Sequence, residues 1–97
     1  MEIGIHAVGF SMAGNLRDFV EAKVSKLVRF DDDIESADVY LKLGNDQEER
    51  KVAEVKLQLR GDVLFAEKPG ASFEEATDEA VEAVRRQLMK RKGKQRD

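Results

Sequence analysis

Seven of the last thirteen residues are basic: Arg85, Arg86, Lys90, Arg91, Lys92, Lys94 and Arg96, opposed within that stretch only by Asp97. Guanidinium and ammonium groups at this density can neutralise phosphates, and each phosphate contact releases a condensed counterion. The chemistry on offer is polyanion binding. A second reading stands beside it, because cations at a helix C-terminus also complement the negative end of the helix dipole. Dipole matching needs two or three such groups, so the surplus points to a partner. The formal net charge of −3 hides this distribution. Residues 1–66 carry nine bases and thirteen acids, residues 67–82 one and six, and residues 83–97 seven and one.

Reactive chemistry is scarce elsewhere. With no cysteine, disulfides, thiol catalysis and cysteine-ligated zinc are excluded. His6 is the single histidine, without a neighbouring Asp or Cys, and reads as a solvated strand residue. Asp31-Asp32-Asp33 lacks the spaced twelve-residue loop of an EF-hand and reads as a solubilising loop. Arg60-Gly61-Asp62 reads as a hairpin turn. Gly4, Gly9 and Gly14 do not form a phosphate-binding loop, since neither Gly-Lys-Ser/Thr nor GxGxxG is present. Glu74, Glu75, Asp78 and Glu79 form an exposed helix face with nothing to desolvate one of them. Without a nucleophile, a metal set or a cofactor loop, no enzyme is expected.

Ninety-seven residues, 41% apolar and 38% charged, describe one soluble domain over residues 1–97, with a basic C-terminal tail over about 90–97. No apolar run approaches the ~18 residues of a membrane span. No signal peptide is visible, so a cytoplasmic protein that touches no membrane is expected.

The elements that must position the bases follow from periodicity. Residues 2–8 alternate, with Ile3, Ile5 and Ala7 on one side, as a short half-buried strand. Gly9 to Gly14 is a loop, with Ser11 or Asn15 as candidate caps. Leu16 to Arg29 is a helix with Leu16, Phe19, Val20, Val24, Leu27 and Val28 inward and Phe30 closing the core. Ser36–Leu43 and Lys51–Arg60 are alternating strands around a polar hairpin loop, and Val63–Glu67 is a short fourth strand ended by Pro69-Gly70. From Ser72, a plausible N-cap, to Arg96, the residues Phe73, Ala76, Thr77, Ala80, Val81, Val84 and Leu88 form one apolar stripe. The other face of this last helix starts acidic and ends basic.

The order is β-α-β-β-β-α. A right-handed parallel crossover followed by an antiparallel meander gives an α+β fold: a four-stranded mixed sheet with both helices on one face. The opposite sheet face is expected to be polar, carrying Tyr40, Lys42, Glu54, Lys56, Gln58 and Arg60. Tyr40 there can stack on a base or serve as a cross-strand packing partner, and the second reading is favoured.

Leu16-Arg17-Asp18-Phe19-Val20 leading into Lys23, Lys26-Leu27 and Arg29-Phe30, the alternating strand after Ala37, and Arg86-Gln87-Leu88 followed by Lys90 and Lys92 carry a resemblance. The chain resembles the short form of the ribosome hibernation promoting factors, also called ribosome-associated inhibitors or sigma-54 modulation proteins. The likeness covers nearly the whole chain and implies a fold like that of double-stranded-RNA-binding domains. It implies a translation inhibitor that occupies the messenger- and transfer-RNA channel of the small ribosomal subunit when growth stops, as a hibernation and stress factor. It implies RNA contacts by Lys23, Lys26 and Arg29 on the first helix and by Arg86, Lys90 and Lys92 on the last. Arg85, Arg91 and Lys94 join them on charge alone. The implied partners are the small subunit and its rRNA, with no cofactor and no small-molecule substrate. Many members begin the last helix with Asp, an apolar residue and Tyr, followed by two alanines; here the run is Ser72-Phe73-Glu74-Glu75-Ala76. The long members add a C-terminal dimerisation domain, so a monomer is expected for this chain. Two other readings remain: a different RNA-binding module using the same basic helix end, and a protein–protein adaptor docking through the polar sheet face or an open edge strand.

Overall fold

The computed structural model describes residues 1–44 and 50–95, with side chains to residue 93. Four strands, β1 (Glu2–Val8), β2 (Ile34–Leu43), β3 (Lys51–Leu59) and β4 (Asp62–Gly70), lie in the order β1-β2-β3-β4. Helix α1 (Gly14–Ser25) follows β1 and tightens into a 3₁₀ turn over Lys26–Arg29, while α2 (Phe73–Gln95) follows β4. β1 pairs with β2 in parallel, with Ile5 opposite Val39, and the β2–β3 and β3–β4 pairs are antiparallel. The expected α+β architecture is present in full.

One sheet face and the two helices enclose the core. Ile5, Val39, Leu41, Val55, Leu57 and Leu59 meet Val20, Val24 and Leu27 of the first helical segment. Ala76, Ala80, Val84 and Leu88 come from α2. Phe10 and Phe73 stack at the start of α2, with ring centroids 4.6 Å apart.

Several boundaries depart from the sequence reading, among them the start of β2, which is Ile34 rather than Ser36. α1 begins at Gly14 rather than Leu16, with Ala13 at the N-cap making no side-chain bond. It does not run helically to Arg29. In the 3₁₀ turn the angular step rises to about 120°, so positions three apart share a face. Leu27 stays buried, Phe30 still packs on the core, and Val28, expected inward, is 40% exposed. β4 runs on through Pro69-Gly70. It is an edge strand, and a proline there costs no ladder bond on its open side. The turn before it is Arg60-Gly61, with Gly61 at φ +76° and Asp62 already paired with Leu59.

Ser72 does cap α2: its Oγ accepts from the Glu75 N–H at 3.1 Å, while Glu75 Oε2 accepts from the Ala71 N–H at 3.3 Å. Glu75 is therefore part of a capping arrangement rather than merely one acid of an exposed face. The polar hairpin between β2 and β3 is closed by the Gly44 N–H donating to the Arg50 carbonyl at 2.6 Å, and residues 45–49 of that loop lie outside the described residues.

The topology has one consequence for the basic residues. β4 is antiparallel to β3 and β3 to β2, so β2 and β4 point the same way. Each helix packs back along the sheet against the strand before it, so α1 and α2 run side by side in the same direction. Two contacts mark this alignment: Lys23 meets Asp78, and Phe30, seven residues later, meets Arg85, seven residues after Asp78. Both C-terminal ends therefore arrive at one end of the molecule.

Candidate nucleic-acid interface

The basic residues of the two helices gather at that shared end, but they are not equivalent. Lys26 and Arg29 lie exposed on the 3₁₀ turn, Lys90 lies exposed on the last turns of α2, and Lys92 is half-buried there. None of the four makes an ion pair among the described residues. Arg86 is 73% exposed and meets Glu82 only at 3.5 Å. Four of these five cations thus have no carboxylate partner among the described residues, and the fifth, Arg86, has a loose one.

Three residues of the expected set are engaged in contacts within the protein. Lys23 Nζ lies 3.2 Å from Asp78 Oδ1 and over the Phe19 ring at 5.4 Å, bridging the two helices. Arg85 donates twice to Glu82, from Nε at 2.9 Å and from a terminal nitrogen at 2.6 Å, and its guanidinium sits 5.8 Å from the Phe30 ring centroid. That fork holds the Glu82 carboxyl below its ordinary pKa and the Arg85 guanidinium above its own, through the side-chain hydrogen bond. Arg91 is enclosed, its side chain only 11% exposed. It donates to Asp31 Oδ2 at 2.8 Å and lies 3.4 Å from Asp62 and 3.7 Å from Asp33. The side chain of Lys94 lies outside the described residues.

The Arg91 clamp revises the reading of the aspartate run. Asp31 is a buried anchor, with its other oxygen accepting the Asp33 N–H at 2.9 Å. One guanidinium thus ties α2 to the loop before β2 and to the first residue of β4. It also offsets three carboxylates that would otherwise repel an anion at the basic end. The sequence carried no local sign of this, since Arg91 and Asp31 are sixty residues apart.

The opposite sheet face is largely self-satisfied. Lys42 Nζ reaches Glu54 at 2.7 Å and Glu67 at 3.1 Å, and those bonds raise its pKa. His6 stacks on Tyr40 with centroids 4.7 Å apart, so Tyr40 is a cross-strand packing partner as favoured. His6 Nε2 also lies 3.2 Å from Asp38 Oδ1. Gly4 makes room for that pair: a Cβ there would stand 2.6 Å from the Asp38 carboxylate. The face is less polar than expected, since Val8, Val63 and Phe65 are about half exposed.

A profile of the family described as Sigma 54 modulation protein / S30EA ribosomal protein matches residues 3–96, which include both helices and all of the sheet but the first residue of β1. The chain belongs to this family. It is similar to the ribosome hibernation promoting factor of Klebsiella oxytoca, with 31% identity over 94 residues covering 97% of this chain and 96% of that one. It is also similar to the ribosome hibernation promotion factor of Deinococcus radiodurans, with 37% identity over 77 residues. That match spans 77% of this chain but only 40% of the Deinococcus protein. Among solved structures, the N-terminal domain of Thermus thermophilus Protein Y superposes with a TM-score of 0.78 at 29% identity, covering 91% of this chain and 96% of that domain. A ribosomal subunit interface protein from Coxiella burnetii shares the fold, with a TM-score of 0.82 at 21% identity over 96% of this chain and 99% of that one.

Proposed function

We propose that this protein binds the small ribosomal subunit of resting cells and silences translation by occupying the channel of messenger and transfer RNA. The observation that carries the reading is the shared basic end. Two parallel helices carry Lys26, Arg29, Lys90 and Lys92, which have no ion pair among the described residues, toward the same end of the molecule, with Arg86 held only by Glu82 at 3.5 Å. The names of the Klebsiella and Deinococcus relatives support the same reading. The mechanism makes and breaks no covalent bond. Cations neutralise rRNA phosphates, and the folded domain fills space that substrates need. Such a protein works in the cytoplasm, and no described helix is long and apolar enough to cross a membrane.

Replacing Arg86, Lys90 and Lys92 together by Gln tests the contact. Removing three phosphate contacts flattens the log–log salt dependence of small-subunit binding by about 2–3 units. Affinity falls by orders of magnitude while the melting temperature scarcely moves. The single variant Lys23→Gln should change the slope far less, because Asp78 already neutralises that charge. Retained binding by the triple variant, with an unchanged slope, would remove the reading. Occlusion is tested separately with empty ribosomes and ribosomes loaded with messenger and transfer RNA. The loaded ones should exclude the protein, and equal binding to both would argue for a peripheral site.

A further inference from the structure

We propose that the free edge of β1 pairs with β1 of a second copy of this chain, making a weak two-fold dimer with a continuous eight-stranded sheet. The two edges of the sheet are treated differently. β4 is closed against strand addition by three devices. Pro69 supplies no N–H, Lys68 is exposed on the strand, and Gln87 of α2 donates to the edge carbonyl of Phe65 at 2.8 Å. β1 has no proline, lysine or arginine, and among the described residues no side chain bonds to its backbone. In a parallel pair, alternate residues turn both N–H and C=O away from the neighbouring strand. Several backbone groups of this seven-residue strand therefore face outward unpaired.

The occupant is argued from the strand's own sequence. In an antiparallel pairing centred on Gly4, Glu2 stands opposite His6 of the second copy and Ile3 opposite Ile5 of the second copy. Each pairing occurs twice by symmetry, so the strand is complementary to itself. Glu2, Gly4 and His6 share the open face, while Ile3 and Ile5 share the helix face, and the register keeps both faces matched. His6 Nε2 faces Asp38, so in the imidazolium form, in which both ring nitrogens donate, Nδ1 is left for the incoming carboxylate. Ile3, only half-buried while Val39, Leu41, Val55 and Leu57 on the same sheet face are fully enclosed, gains cover from the second copy. An edge-to-edge contact of this length is small, so the dimer belongs to the weak, transient class. The monomer expected from the sequence is then the dilute limit. The inference is independent of the basic end.

Sedimentation equilibrium of the full chain over micromolar to millimolar concentration should show a reversible dimer. Hydrogen exchange over the same range should show protection rising in residues 2–8 and not in residues 62–70. Glu2→Lys, at an exposed position, should weaken the dimer about tenfold, because two favourable cross-strand pairs become unfavourable. The chain has no cysteine, so a register test is clean. Oxidised Glu2→Cys/His6→Cys protein should form a covalent dimer, while either single variant should not. A monomer throughout the range would overturn the proposal, as would a dimer indifferent to Glu2→Lys, protection gained at β4, or cross-linking by Glu2→Cys alone.

Discussion

Arg91 shows how far one side chain's role can lie from its composition. Read as part of a basic run, it is one more phosphate ligand; in the fold it is a clamp held by Asp31, Asp33 and Asp62. Removing one member of an enclosed ion pair leaves the other charge buried and uncompensated. Arg91→Gln should therefore cost about 3 kcal/mol of unfolding free energy, measured by urea denaturation. The double variant Arg91→Gln/Asp31→Asn should recover part of it, because the stranded charge is gone. The exposed Lys90 gives the contrast: Lys90→Gln should leave stability within about 0.5 kcal/mol. Sequence distance decided what could be read at this scale. The basic density of residues 85–96 was visible, whereas its division into free and engaged cations depended on Asp31, Glu82 and Asp78 meeting them in space. The His6–Asp38 contact, thirty-two residues apart, was hidden in the same way.

The elements were legible because each carries one period. Strand alternation placed Val39, Leu41, Val55 and Leu57 inward, and the three- and four-residue steps of α2 identified its buried stripe. Errors fell where two local preferences compete. A helical template carried Val28 inward, and the 3₁₀ turn rotated it out. Proline was taken as a strand end, and the open edge of β4 tolerates it. The capping arrangement at the start of α2 was half visible, as Ser72 with Glu75 three residues later. Ser72→Ala should destabilise the protein by about 1 kcal/mol, seen as a lower urea midpoint with an unchanged slope. An unchanged midpoint would mean that the Ser72 hydroxyl contributes nothing to starting the helix.

For the molecule as a whole, the apolar stripes of six elements admit one simple packing, and the sheet order β1-β2-β3-β4 follows it. Leu57, fully buried in a central strand, tests that core: Leu57→Ala should cost about 2–5 kcal/mol through the cavity it leaves. The sequence also implied the parallel crossover, and with it the common direction of the two helices. That crossover has a kinetic side. β2, β3 and β4 are joined by short connections, whereas β1 reaches β2 only after the whole of α1 and the loop behind it. Closing the longer loop costs more chain entropy before any contact repays it. The meander with α2 should therefore form first and β1 dock last, and pulse-labelled amides of residues 51–59 should gain protection during refolding before those of residues 2–8. The strand that arrives last at the growing sheet is also the one whose outer edge the finished sheet leaves open. A newly made chain thus passes through a stage in which β2 is uncovered, and a neighbouring copy's β1 can dock there in place of its own.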